Sequence, residues 1–201
     1  MRVDGVVDVH TAQDLLDDGI RPLPSATELA DGSHAIAPPR FALARDRTRH
    51  VGDPIAIVLA HTHAAALAGA EHVVVDGTPL PAVVDADAAF ADTAIDIWSQ
   101  APGNLAFQFA AGDAQATRAA IASATHVVEL ELPNHRVSAL PLEPRAGLAT
   151  YDPGIGQFDL LASAQGLHTI KRLIATVFDL PESHFRLHAP DVGGGFGLKN
   201  F

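Results

Sequence analysis

The chain has 201 residues, no cysteine, and a formal net charge of −11 from 24 acidic against 13 basic side chains. The lack of cysteine excludes disulfides and thiolate-held iron–sulfur or zinc sites within the chain, and the acidity argues against a sequence-independent grip on nucleic acid, which needs a basic face. At 48% hydrophobic and 18% charged the balance is that of an ordinary globular protein, and no apolar run reaches the length of a membrane span.

Asp4 and Asp8 stand where a secretory signal needs its apolar stretch, which points to the cytoplasm. Val6–His10, "VVDVH", alternates like a short strand. A helix follows, with Thr11 as N-cap, Asp14 at the capping-box position and Gly19 as its stop. Residues 20–39 are rich in Pro, Ser and Gly and read as a loop. "RHVGDPIAIVLA" (49–60) is a Gly-Asp-Pro turn feeding a buried strand over 55–60, and an Ala-rich helix spans 62–71. His61 and His63 come closest to a metal pair, but no third ligand is near and surface histidines are the simpler reading. "HVVVDGTPLPAVV" (72–84) returns as a strand broken by a Pro-rich kink. "IWSQAPGN" (97–104) reads as a linker, with a domain boundary at about residue 100 to 125.

In the second half, 112–124 predicts a helix capped by Asp113, and 125–151 predicts two long strand-like runs joined at Pro133 and Asn134. "YDPGIGQFDLLAS" (151–163) is a hairpin turning at Asp-Pro-Gly. The helix over 166–180 places Leu167, Ile170, Leu173, Ile174 and Val177 on one face. A last strand, within 182–192, delivers the chain into "GGGFG".

This loop has glycines at 193, 194, 195 and 197. A Walker-type phosphate loop fails, because Lys199 follows Leu198 and precedes Asn200 rather than sitting between Gly and Ser/Thr. A dinucleotide fingerprint fails on spacing. A backbone cradle for a large anionic ligand remains, and so does a plain tight turn with positive φ.

Three segments occur in order: "NHRVSALPLEPR" (134–145), "ASAQG" (162–166) and "PDVGGGFGLK" (190–199). Together they resemble the molybdenum-binding large subunit of the molybdenum hydroxylases, the family of xanthine dehydrogenase, aldehyde oxidase and the aerobic carbon monoxide dehydrogenases. "RHVGDPIAIVLA" followed by "LPAVVDADAAF" (80–90) resembles that family's α/β-hammerhead domain, with Asp53 in place of the usual Glu.

The resemblance implies an α+β fold: a partial hammerhead over 1–100, a linker and helix over 101–124, and the start of a molybdopterin-binding domain over 125–201. It implies a molybdenum–molybdopterin cofactor, cytosine-extended, that hydroxylates a carbon centre with oxygen from water. Electrons then leave through 2Fe–2S clusters and FAD carried on a small and a medium partner subunit. Gln165 matches the Gln whose amide donates to an oxo ligand of molybdenum, and Phe196 the residue whose backbone approaches the metal's ligands; neither is itself a metal ligand. Gly194, Gly195 and Gly197 complete the cradle around Phe196. Glu143 and Arg145 match a recurrent stretch and read as a structural ion pair or strand-end scaffold. Asn200 stands where purine-oxidising relatives carry a Glu that contacts the heterocycle, so xanthine is a poor fit, while an aldehyde, an N-heterocycle or carbon monoxide stays open.

Set against the family, the chain reads as a fragment. The general-base Glu and most cofactor contacts belong to a C-terminal part beyond it, so the expectation is no turnover alone and exposed apolar surface where the rest of the subunit docks. The competing expectation is a non-catalytic remnant or assembly module that keeps the fold.

Overall fold

The computed structural model describes residues 3–24, 28–29, 32, 34–134 and 137–200. His135 and Arg136, inside the long run read as strand, lie outside the described residues.

The N-terminal unit is built on a two-stranded antiparallel ribbon, β1 (Val6–Thr11) with β2 (Ala56–Ala60). β1 runs straight into α1 (Ala12–Asp17), and the expected capping box forms: the Thr11 backbone N–H and hydroxyl both donate to the Asp14 carboxylate, at 2.6 and 2.7 Å. These bonds, the backbone N–H first, hold Asp14 below the usual carboxylate pKa. α2 (His63–Glu71), capped by the Thr62 hydroxyl, lies against the ribbon. Its contact is closest at Gly69, where a Cβ would come within 2.8 Å of Val6 and Val58 side chains. The run over 55–60 was expected to be buried; instead Ile57 and Leu59 are 41% and 44% exposed. The ribbon is covered on the α2 side only, so alternate residues of β2 face outward.

The described residues of 20–39, expected as a loop, form only the isolated bridges Leu23–Arg40 and Glu28–His34, and the loop continues to residue 55 with Leu43 as its most buried side chain. Arg49 stacks on Trp98, 3.7 Å from the ring centroid, and so fastens the loop to the linker segment. The linker is itself tied down by Asn104, whose side chain accepts from Ile97 N–H and donates to the carbonyls of Ala89 and Ile95. A short α3 (Ala86–Ala89) precedes it and α4 (Ala114–Ser123) follows, capped by Asp113 as expected.

The C-terminal unit is a three-stranded sheet of order β3–β4–β5: β3 (Gly147–Asp152), β4 (Gln157–Ala162) and β5 (Phe185–His188). β3 and β4 form the expected hairpin, with Gly154 N–H on the Asp152 carboxylate in the turn. β4 and β5 are parallel and are connected through α5 (Leu167–Phe178). The five apolar residues expected on one face of α5 are all at least partly covered, and Ala175 is buried. Phe158, Phe178 and Phe185 meet between helix and sheet, with Phe158 stacked on Phe185 at 5.3 Å between ring centroids. The two units touch where Arg21 pairs with Asp179 and donates its backbone N–H to Val177 at 2.8 Å.

Two expected strands are not formed. Residues 72–84, and the described part of 125–146, enter no sheet. Their apolar side chains are open to solvent, among them Val74 at 89% and Val128 at 91% exposed. Apolar runs favour a strand only when a neighbouring backbone supplies the ladder; here Glu143 N–H to the Gly193 carbonyl and Ser163 N–H to the Ala146 carbonyl, both at 3.4 Å, are isolated bonds that build none.

Candidate cofactor site

Parallel neighbours end at the same edge of a sheet, so β4 and β5 release their following residues side by side. The segment after β4 carries Ser163, Ala164 and Gln165, and the segment after β5 carries the glycine loop. Gln165 N–H donates to the Lys199 carbonyl at 2.8 Å. In return, Gln165 Oε1 accepts from Gly197 N–H at 3.0 Å and from Lys199 N–H at 3.4 Å.

Those two N–H donors decide how the amide is turned, because only the oxygen of a Gln side chain accepts. The Nε2 group is left over. It makes no hydrogen bond to the described residues, and Gln165 is exposed.

Within the loop, Phe196 has φ of +49° and is 75% exposed, and the Leu198 N–H closes a turn onto the Gly195 carbonyl at 2.9 Å. The glycines answer to two different demands. A Cβ on Gly195 would lie 2.2 Å from Gln165 Cδ, and one on Gly193 would lie 2.5 Å from Glu143 Cβ. At these positions the excluded volume is the chain's own side chains. Gly194 and Gly197 have φ of +98° and +81°, which favour glycine, and a Cβ on Gly194 would also lie 2.9 Å from Phe196 Cε2. Next to Gly197 a Cβ would meet nothing within 4 Å, so that side of the loop is open. Asn200 is half-buried, its Oδ1 3.7 Å from where a Cβ on Gly166 would stand.

Glu143 and Arg145 do not pair with each other. They lie outside any strand and reach different parts of the loop. The Arg145 guanidinium donates to the Leu198 carbonyl. Glu143 Oε2 accepts from Ser163 Oγ at 2.5 Å, from Gly193 N–H at 2.6 Å and from Lys199 Nζ at 2.9 Å. The Ser163 hydroxyl, then Lys199, then the Gly193 N–H hold its pKa down to about 2. The ion pair expected between Glu143 and Arg145 is not formed, and the cation on Glu143 is Lys199. Neither Lys199 nor Ser163 was singled out from sequence in this role. One signal was available: of 13 basic residues only Lys171 and Lys199 are lysines. No group of three His, Cys, Asp or Glu able to hold a metal occurs among the described residues.

Residues 97–201 match the family described as the molybdopterin cofactor-binding domain, and residues 1–81 match the aldehyde oxidase and xanthine dehydrogenase a/b hammerhead domain. The chain belongs to the molybdenum hydroxylases. It is 31% identical to the carbon monoxide dehydrogenase large chain of Afipia carboxidovorans, over 97% of this chain and 24% of the relative. It is also 31% identical to the nicotine 6-hydroxylase large subunit of Paenarthrobacter nicotinovorans, over 85% of this chain and 20% of that one. Quinoline 2-oxidoreductase from Pseudomonas putida 86 superimposes with a TM-score of 0.84 at 28% identity, covering 98% of this chain and 24% of that structure. The chain thus spans about a fifth to a quarter of the length of these molybdenum hydroxylases. The partial hammerhead and the start of a cofactor-binding domain, in an α+β arrangement, are the fold expected of that portion. No helix among the described residues is long and apolar enough to cross a membrane.

Proposed function

We propose that this chain supplies the hammerhead and the leading part of the cofactor cradle of a molybdenum hydroxylase large subunit, and that it works only with the remainder of that subunit. The hammerhead portion is taken to about residue 100 and the cofactor portion from about residue 125, with the linker and α4 between. The observation that carries the reading is the amide of Gln165. Its oxygen is occupied by the glycine loop, while its Nε2 makes no hydrogen bond to the described residues; in that loop Phe196 is exposed and one side of Gly197 is open. A neutral donor held this way suits an oxygen-bearing group without competing as a ligand.

Bound there, the molybdenum–molybdopterin group supplies the chemistry that hydroxylates a carbon centre with oxygen from water. The chain's residues position it. Gln165 Nε2 donates a hydrogen bond of about 1 kcal/mol net, whose larger effect is to fix orientation. Gly194, Phe196 and Gly197 offer backbone at close range. The family resemblance supports the cytosine-extended cofactor and iron–sulfur and FAD partner subunits. At Asn200 an amide replaces the carboxylate of purine oxidisers, which favours an aldehyde, an N-heterocycle or carbon monoxide as substrate.

The test is a chimera in which this chain replaces the matching quarter of the Afipia carboxidovorans large chain, purified with its partner subunits. Retained molybdenum and pterin, with Gln165→Ala lowering turnover at least tenfold, is the expected result. A chimera that folds but holds no molybdenum, or a Gln165→Ala chimera as fast as its parent, overturns the proposal. The chain alone is expected to show no molybdenum-dependent turnover.

A further inference from the structure

Lys199 is the only charged residue buried among the described residues. Its side chain is fully withdrawn from solvent, while that of its partner Glu143 keeps 39% exposure. An ammonium so placed needs its donors met. Lys199 Nζ donates to Glu143 Oε2 at 2.9 Å and to Ser163 Oγ at 2.6 Å, and Ser163 Oγ donates to the same carboxylate oxygen at 2.5 Å, closing a ring of three. The Gly193 N–H adds a third bond to that oxygen, so both ends of the glycine loop meet at Glu143. Lys199 is the ionised group facing Glu143; Arg145, on the Glu143 segment, turns away to the Leu198 carbonyl.

The same lysine holds Gln165 with its main chain, through its carbonyl at 2.8 Å and its N–H at 3.4 Å. Ser163 lies two residues before Gln165, on the other side of the same contact. The side-chain ring and the amide contact therefore share the segment after β4 and the end of the glycine loop.

We propose that Glu143, Ser163 and Lys199 are positioning residues, forming a clasp around the buried Lys199 ammonium that fixes the glycine loop against the Gln165 segment and so sets the direction of the Gln165 amide. Buried ion pairs seldom add net stability over well-packed apolar residues, but they do select one geometry. A compact ammonium suits a spot that offers it two oxygens. The clasp concerns this chain's own geometry. That the aimed amide meets the molybdenum cofactor rests on the reading above.

Hydrogen exchange on the 201-residue chain separates the two. Lys199→Met keeps the stem and removes the ammonium. The expected result is exchange at least tenfold faster at the Gly193 and Gly197 amides, with the β3–β4 hairpin amides unchanged. Unchanged loop exchange overturns the proposal, as does equal acceleration across the chain, which marks a purely structural role. Glu143→Gln, which keeps an acceptor, guards against a variant that fails to fold. In the parent, loop protection corrected for intrinsic rate is expected to fall with pH below about 4.5, and in Glu143→Gln that pH dependence is lost. The same profile in both overturns the clasp. A chimera that holds no molybdenum while the exchange results stand removes the cofactor reading and leaves the clasp intact.

Discussion

Residues 147–188 and residues 105–134 carry similar apolar patterning and meet opposite fates. In the first, β3, β4 and β5 pair in register and α5 covers them, with Phe185 only 5% exposed at the centre. In the second, α4 has no buried residue, and Val127, Val128, Leu130 and Leu132 stand 61–91% exposed without a sheet. Patterning sets which face a segment offers, and it becomes structure only where another backbone is in reach. For a chain that matches about a quarter of its relatives' length, the unpaired runs mark where other parts of a large subunit are expected to lie.

The comparison breaks most visibly at Phe185. Phe185→Ala removes the ring stacked between Phe158 and Phe178 and should cost about 3–5 kcal/mol in urea unfolding, whereas Leu130→Ala should stay within about 0.5 kcal/mol; equal losses would erase the contrast. Next is Gly195→Ala. Its methyl would occupy the place of the Gln165 side chain. Overpacking of this kind costs about 1–3 kcal/mol, and the Gly197 amide should lose protection as Gln165 is pushed away. At α4 the cap replaces packing, so Asp113→Ala should cost about 1 kcal/mol of local helix stability and lower helical circular dichroism without changing the midpoint of the sheet transition. The smallest effect is set by pH. Glu143 is held at about 2, below its ordinary 4.5, so its contribution is complete above about 4.5 and is lost as pH falls toward 2. Acid should loosen the glycine loop within that window, and Glu143→Gln should remove the dependence.

Elements whose signals are local were legible in the sequence. The Thr11–Asp14 box, the Asp113 cap, the Asp-Pro-Gly hairpin and the apolar face of α5 need no partner to be recognised, and each formed. The association of Gln165 with the glycine loop was legible only through resemblance, since 32 residues separate Gln165 from Gly197. The Glu143–Lys199 bond spans 56 residues and leaves no periodic trace. The strands at 72–84 and 125–132 misled for the converse reason: their apolar runs are real, and what they lack is another strand to pair with.

The parallel pairing of β4 and β5 has one more consequence. Because both strands leave the sheet at the same edge, the helical crossover between them only has to span a fixed gap. Its length is free, while the few residues from His188 to Gly193 are not. Insertions in the 179–184 turn should therefore be tolerated, and a single deletion in 189–192 should shift every glycine of the loop out of phase with Gln165. The site's tolerance to change in chain length is thus uneven along the sequence, wide in the turn after α5 and nearly nil in the runs that hold Ser163 to Gln165 and follow β5.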